Sequence, residues 1–259
     1  MTAIISFANQ KGGVGKSTLC IQAAYYLSKQ EKKVLVLDMD AQGNTSSRLA
    51  PKADAESSKP VFSGTKTIEL FTEVLSSITP MPCGPFLDLI HTPVNDPELA
   101  EVESSPLEIA LLPERHLRDF LQTYDFVLID CPPSLGRKLV AALALSTHVV
   151  CPVKLSGFAV DGVEGLLHTI IGVQENVNPN LKLLGLIIND MDRSTSHDRA
   201  LKELTAAIPD LLFKNKIMHR SPLDTATSEG LPIWDLSYGH VAAKEVKAVL
   251  DEILERIEN

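Results

Sequence analysis

Short and nearly continuous apolar runs recur along the chain, at residues 3–7, 34–37, 107–111, 126–129, 149–153 and 183–188. Runs of this length, rich in Ile and Val and lacking polar alternation, predict strands buried on both faces. Between them, apolar positions return at helical spacing over 17–30, 113–121, 134–145, 159–176 and 196–208. Alternation of strand and helix implies a mostly parallel, twisted sheet with helices on both faces. Residues 241–257 place Val246, Val249, Leu250, Ile253, Leu254 and Ile257 on one face, which predicts a docked terminal helix. The Pro- and Ser-rich stretch 50–65 reads as a surface loop, and 79–105 as irregular chain with one short strand at 86–91. There is no internal repeat and no low-complexity tract, so one domain over residues 1–259 is expected.

Composition narrows the function classes. The chain has 259 residues, of which 44% are hydrophobic and 22% charged, enough to bury a core and too apolar for a disordered segment. Its 24 Lys+Arg against 33 Asp+Glu give a net charge of −9. This balance disfavours a protein that coats nucleic acid with its whole surface, and any polyanion contact must be regional. No apolar run approaches the roughly 20 residues of a bilayer span. The terminal helix carries Glu245, Asp251, Glu252, Glu255 and Glu258 beside Lys244, Lys247 and Arg256, so membrane binding is not expected. Met1 leads directly into the first strand without a basic leader, from which a cytoplasmic protein lacking an N-terminal helix-turn-helix domain is expected. Cys20, Cys83, Cys131 and Cys151 are scattered without a CxxC pair, against a disulfide framework or zinc knuckle.

Three segments carry candidate chemistry. Asn9-Gln10-Lys11-Gly12-Gly13-Val14-Gly15-Lys16-Ser17-Thr18 lies between the first strand and the first helix, the context of a phosphate-binding loop. Glycines let backbone N–H groups wrap an anion at a helix N-terminus, Lys16 supplies charge for phosphates, and the Ser17 hydroxyl suits Mg2+. Gln10 stands where the general pattern has its first glycine, whereas Lys11 fits the narrower KGGxGK[ST] form. After the second strand comes Asp38-Met39-Asp40-Ala41-Gln42-Gly43-Asn44, and after a later strand Asp130-Cys131-Pro132-Pro133-Ser134. All three fall at carboxyl ends of expected parallel strands, where open α/β sheets bind ligands.

On these segments the chain resembles the deviant-Walker P-loop NTPases, and within them the ParA/Soj partition ATPases. The resemblance extends through the Tyr124–Asp130 strand, the Phe-Ala-x-x-Gly segment at 158–162 and Asn189, and in part through 222–233. It implies slow ATP hydrolysis with Mg2+. Gly12, Gly13, Val14, Gly15, Lys16, Ser17 and Thr18 would hold the nucleotide, and Asn189 would contact adenine. Ser17, Asp38 and Asp130 would serve the metal, while Asp40 positions the attacking water. Lys11 would cross an ATP-dependent homodimer to the partner's phosphates, the alternative being a second phosphate contact within its own subunit.

The resemblance further implies non-specific DNA binding and a hydrolysis-stimulating partner of ParB type or another cargo adaptor. Pro222 and Leu231 stand where the family often has Arg and Lys. Arg193, Arg199, Lys202, Lys214, Lys216, Arg220, Lys244 and Lys247 are the candidate replacements. Lys154 reads as a surface lysine or one facing nucleotide or partner. The competing classes are a MinD-like membrane-cycling ATPase and a metabolic synthase on the same scaffold. An iron–sulfur relative lacks support, because Cys131 has no second cysteine in a recognisable motif.

Overall fold

In the computed structural model, which describes residues 2–53, 59–155 and 159–259 apart from the side chains of 159–162, the apolar runs assemble into one sheet. Its strands are β1 (Ala3–Phe7), β2 (Val34–Asp38), β3 (Met81–Gly84), β4 (Leu87–Ile90), β5 (Phe126–Asp130), β6 (His148–Lys154) and β7 (Lys182–Asn189). The order is β3-β4-β2-β5-β1-β6-β7, parallel except for the antiparallel edge strand β3. The twofold alternation of strand side chains sends Leu35 and Leu37 into one apolar layer and Val34 and Val36 into the other. Both faces of the sheet are therefore core, as continuous apolar strands require.

Helices α1 (Lys16–Ser28), α8 (Ser221–Glu229) and α9 (His240–Glu258) contribute to one layer. On the opposite face lie α4 (Leu112–Leu117), α5 (Arg137–Leu145), α6 (Ala159–Asn176) and α7 (Thr195–Ala207). Two short helices, α2 (Asn44–Leu49) and α3 (Pro97–Glu101), sit in the connections after β2 and β4. The apolar stripe of α9 is docked as expected, with Val246, Val249, Leu250 and Ile253 buried. Among the described residues no helix is long and apolar enough to cross a membrane.

The expected strand at 107–111 is instead a 3-10 helix, Leu107–Leu111. Pro106 precedes it, only Ala110 is buried, and the run lacks the repeated β-branched residues that favour a pleated surface. The expected helix 113–121 stops at Leu117 and resumes as a 3-10 turn, Phe120–Thr123. The one expected from 134 starts at Arg137, after Pro132, Pro133 and Gly136. Strand β3 was not anticipated because Pro82 and Gly84 are strand-poor, and only an edge tolerates them. Residues 54–58 of the 50–65 loop lie outside the described residues.

One buried charge ties α9 to the far edge of the sheet. Glu252 accepts the Lys214 and Asn215 backbone N–H groups, the Asn215 amide and the Arg256 guanidinium, all at 2.9 Å. Arg256 lies 4.0 Å from the Phe213 ring centroid and donates to the Leu184 and Leu212 carbonyls at 2.7 Å. Burial alone would raise the Glu252 pKa, but these donors hold it below the ordinary glutamate value. Glu252→Ala strands two backbone donors and an arginine, and a loss of about 3–5 kcal/mol in urea unfolding with unchanged slope is expected. Because the folded pKa is depressed, this contribution is complete above about pH 4.3 and disappears as pH falls through the lower folded value.

Candidate functional site

The loop between β1 and α1 turns through Gly13 at φ 70° and Gly15 at φ 95°, both left-handed. At Gly15 a Cβ would also collide with the Asn189 amide. The N-cap of α1 is Gly15, which has no side chain to bond the first-turn N–H groups, and such groups at a helix start suit an anion. The Lys16 ammonium is buried and donates to the Lys11 carbonyl at 3.0 Å, which centres it in the loop. Burial lowers its pKa, opposed by the fields of Asp130 and Asp40. Gly15→Ala combines backbone strain with this clash, so roughly a hundredfold loss of ATP affinity by calorimetry is expected, with the fold intact by circular dichroism.

Parallel pairing of β2 with β5 sets Asp38 directly beside Asp130, both fully buried. Asp38 Oδ2 accepts the Ser46 N–H at 2.8 Å and the Ser46 hydroxyl at 2.7 Å, while its Oδ1 accepts the Asp40 N–H at 3.2 Å. Asp130 Oδ2 accepts the Thr45 hydroxyl at 2.6 Å, and its Oδ1 is buried without a hydrogen-bond partner among the described residues. Burial and the Asp130 charge push the Asp38 pKa well above the carboxylate range. Burial pushes Asp130 up to about 6, against the neighbouring Ser17 and Thr45 hydroxyls. Two adjacent buried carboxylates repel each other, and that repulsion adds to burial in disfavouring the doubly charged pair.

A cavity of about 550 Å3 gathers Gly12, Gly13, Gly15, Lys16, Ser17, Thr18, Asp40 and Asn189, whereas Asp38 and Asp130 are not among the described residues lining it. Val14 lies beneath it, buried, with its carbonyl accepting the Asn189 amide at 2.9 Å. Asn189 Oδ1 is buried without a partner among the described residues. The backbone N–H of Lys11 donates to Asn9 Oδ1 at 2.9 Å, and Lys11 is not among the described residues lining the cavity. Asp40 is half-buried, and its Oδ1 accepts the Gln42 N–H at 3.0 Å. Gly43, at φ 65°, lets α2 start where a Cβ would lie 2.6 Å from the Thr92 and Pro93 carbonyl oxygens. That tight turn brings Thr45 and Ser46 onto the two aspartates.

A protein-family model for an AAA domain matches residues 2–183. The chromosome-partitioning ATPase Soj of Treponema pallidum is 32% identical over 259 residues, covering 99% of this chain and 98% of that protein. Soj of Thermus thermophilus is 33% identical over 255 residues, covering 98% and 96%. The chain belongs to the Soj/ParA family of partition ATPases. It is thus an ATPase, with the α/β fold expected of this family. A Borrelia burgdorferi plasmid partition protein bound to AMPPNP superposes with a TM-score of 0.80 at 27% identity, covering 99% of this chain and 100% of that one. Cobyrinic acid a,c-diamide synthase of Mycobacterium smegmatis, with bound ADP and magnesium, gives 0.70 at 29% identity, covering 96% and 94%. The Soj/ParA scaffold is shared with a synthase, so the fold alone does not separate positioning from biosynthesis.

Within this Soj/ParA chain the basic candidates divide. Arg193, Arg199, Lys202, Lys214, Lys216, Lys244 and Lys247 are exposed, Arg199 in an ion pair with Glu203. Arg220 instead lines the cavity and is held by Glu245. Lys154 reaches Asp190, another cavity residue, as an ion pair. Cys131 is buried, and no cluster of metal-ligating residues occurs among the described residues. In the Phe-Ala-x-x-Gly segment, Phe158 and the side chains of 159–162 lie outside the described residues. Sequence reading missed Thr45 and Ser46, which bond the two aspartates, and Arg48 and Met218, which line the cavity. Thr45, Ser46 and Arg48 fall within four residues after the Asp38–Asn44 segment, which was the available signal, whereas nothing local marks Met218.

Proposed function

We propose that the cavity binds ATP with Mg2+ and that ATP joins two copies into a dimer that holds non-specific DNA and positions a DNA or other cargo. What carries this reading is the closure of the phosphate loop, Asp40 and Asn189 on one cavity, with the buried Asp38–Asp130 pair tied to it through the Asp40 N–H, in a chain covered almost entirely by Soj. The unpartnered Asp130 Oδ1, its neighbour Asp38 and the Ser17 hydroxyl fit a magnesium site. When bound, the ion would neutralise phosphate charge. Lys16 binds the β- and γ-phosphates, the loop N–H groups orient them, and Asp40 orients a water or takes its proton. Lys11 reaches the partner's nucleotide, and Asn189 Oδ1 accepts from the base.

Hydrolysis, stimulated by a ParB-like or cargo-bound adaptor, returns the protein to a form released from the nucleoid. The exposed lysines and arginines, doubled in a dimer, supply sequence-independent phosphate contacts. Burial of the α9 apolar stripe argues against a MinD-like use of that helix on membranes.

The test is light scattering of Asp40→Ala with ATP, with ADP and without nucleotide, followed by duplex DNA across a salt series. A dimer with ATP alone, and DNA retention that falls steeply with salt, is the expected result. Lys11→Ala should bind ATP yet stay monomeric; a wild-type dimer from that variant sinks the trans role. A dimer indifferent to DNA removes the DNA matrix from the reading.

A further inference from the structure

The segment after Ile217 is extended and bridges Met191 through Met218, so alternate side chains share a side. Ile217 is buried in the core and His219 bonds Asp190 at 2.6 Å, while Met218 and Arg220 both line the nucleotide cavity. Glu245 of α9 fixes this pair. One carboxylate oxygen accepts the Met218 N–H at 3.1 Å, and the other meets the Arg220 Nη2 at 2.7 Å, with Nε 3.3 Å from both oxygens. The guanidinium is thereby oriented as a planar group, with a third of its side chain still accessible.

The segment carrying Arg220 pairs with the end of β7, where Ile217 N–H donates to the Ile188 carbonyl and His219 N–H to the Met191 carbonyl, so it runs beside Asn189 and Asp190; all three of Arg220, Asn189 and Asp190 line the cavity, as does Asp224. Asp190 is balanced by Lys154 and Arg220 by Glu245, so this part of the cavity offers no net positive charge to phosphates and accommodates a neutral ring. An arginine whose charge is already balanced offers a flat face and not a phosphate clamp.

We propose that Arg220 contacts the nucleotide's purine ring as a stacking platform, with Glu245 as its positioning residue and Met218 beside it. Arg220 is on this assignment part of the nucleotide site and not of the DNA surface. The proposal rests on the cavity being the ATP site, and the experiment separates the two. If wild type fails to bind ATP, or Lys16→Ala binds it as wild type does, the cavity assignment itself falls.

With that control passed, Arg220→Ala is expected to weaken ADP binding about tenfold while competition by inorganic pyrophosphate stays within about twofold. Arg220→Lys keeps the charge and loses the plane, and should weaken ADP to a similar extent. Glu245→Gln should raise KM with kcat unchanged. The reversed pair Arg220→Glu/Glu245→Arg restores the ion pair and should remain weak for ADP. Recovery of ADP affinity in the reversed pair would reduce Arg220 to a structural role and overturn the proposal. Unchanged ADP affinity in Arg220→Ala, with loss of salt-sensitive DNA retention, overturns it in favour of a DNA contact.

Discussion

Lys16→Ala is expected to abolish productive ATP binding, lowering affinity about a thousandfold and taking hydrolysis with it. The ammonium is buried and is centred in the loop by its bond to the Lys11 carbonyl. An ion pair at contact distance is worth about 4 kcal/mol at an effective dielectric near 20, and that energy corresponds to roughly three decades in Kd. The variant also removes the ammonium whose field opposes the raised pKa of the buried Asp130. Calorimetric titration with ATP and Mg2+ is the measurement, with a thermal melt to show that the fold survives. Affinity within tenfold of wild type would remove Lys16 from the phosphate site.

Asp40→Ala should produce the opposite separation, with ATP bound and turnover lost. Asp40 lines the cavity, and its carboxylate is steadied by the Gln42 N–H at 3.0 Å while the turn closes through Gly43 N–H to the Asp40 carbonyl at 2.9 Å. A positioned proton acceptor contributes about 10²–10⁴-fold to rate, so single-turnover hydrolysis should slow by that range. ATP affinity should hold or rise, because one negative charge leaves the phosphate end. Parallel loss of affinity and rate would instead place Asp40 in ground-state binding. Equal rates in variant and wild type would exclude it from the chemistry.

Legibility of the sequence followed the reach of the forces involved. The strands β1, β2, β5, β6 and β7 were read within a residue or two, because an uninterrupted apolar run between polar flanks has few alternatives once both faces must be buried. The run at 107–111 failed the same reading. Its Leu-Glu-Ile-Ala-Leu pattern is compatible with a tight helix against α5, and partner geometry decided between them. Helix α8 begins with Ser221-Pro222, a start signal at its first turn that becomes readable only once its Leu223 and Ala226 have a surface to cover.

The sequence by itself determined the alternation of strand and helix, the phosphate loop with its glycines and two lysines, and the aspartates at strand ends. These are local properties, carried by contiguous residues whose backbone needs and charges do not depend on distant chain. Only the tertiary structure decided that Asp38 and Asp130 are neighbours across a strand pair, that Thr45 and Ser46 hold them, and that Arg220 lines the same cavity as Lys16 and Asn189. Each of these depends on sheet order or on Glu245 of α9, residues far apart in the chain. Side-chain direction and ion-pair partners are set when separate elements pack, and no local pattern encodes which carboxylate will arrive beside a given arginine.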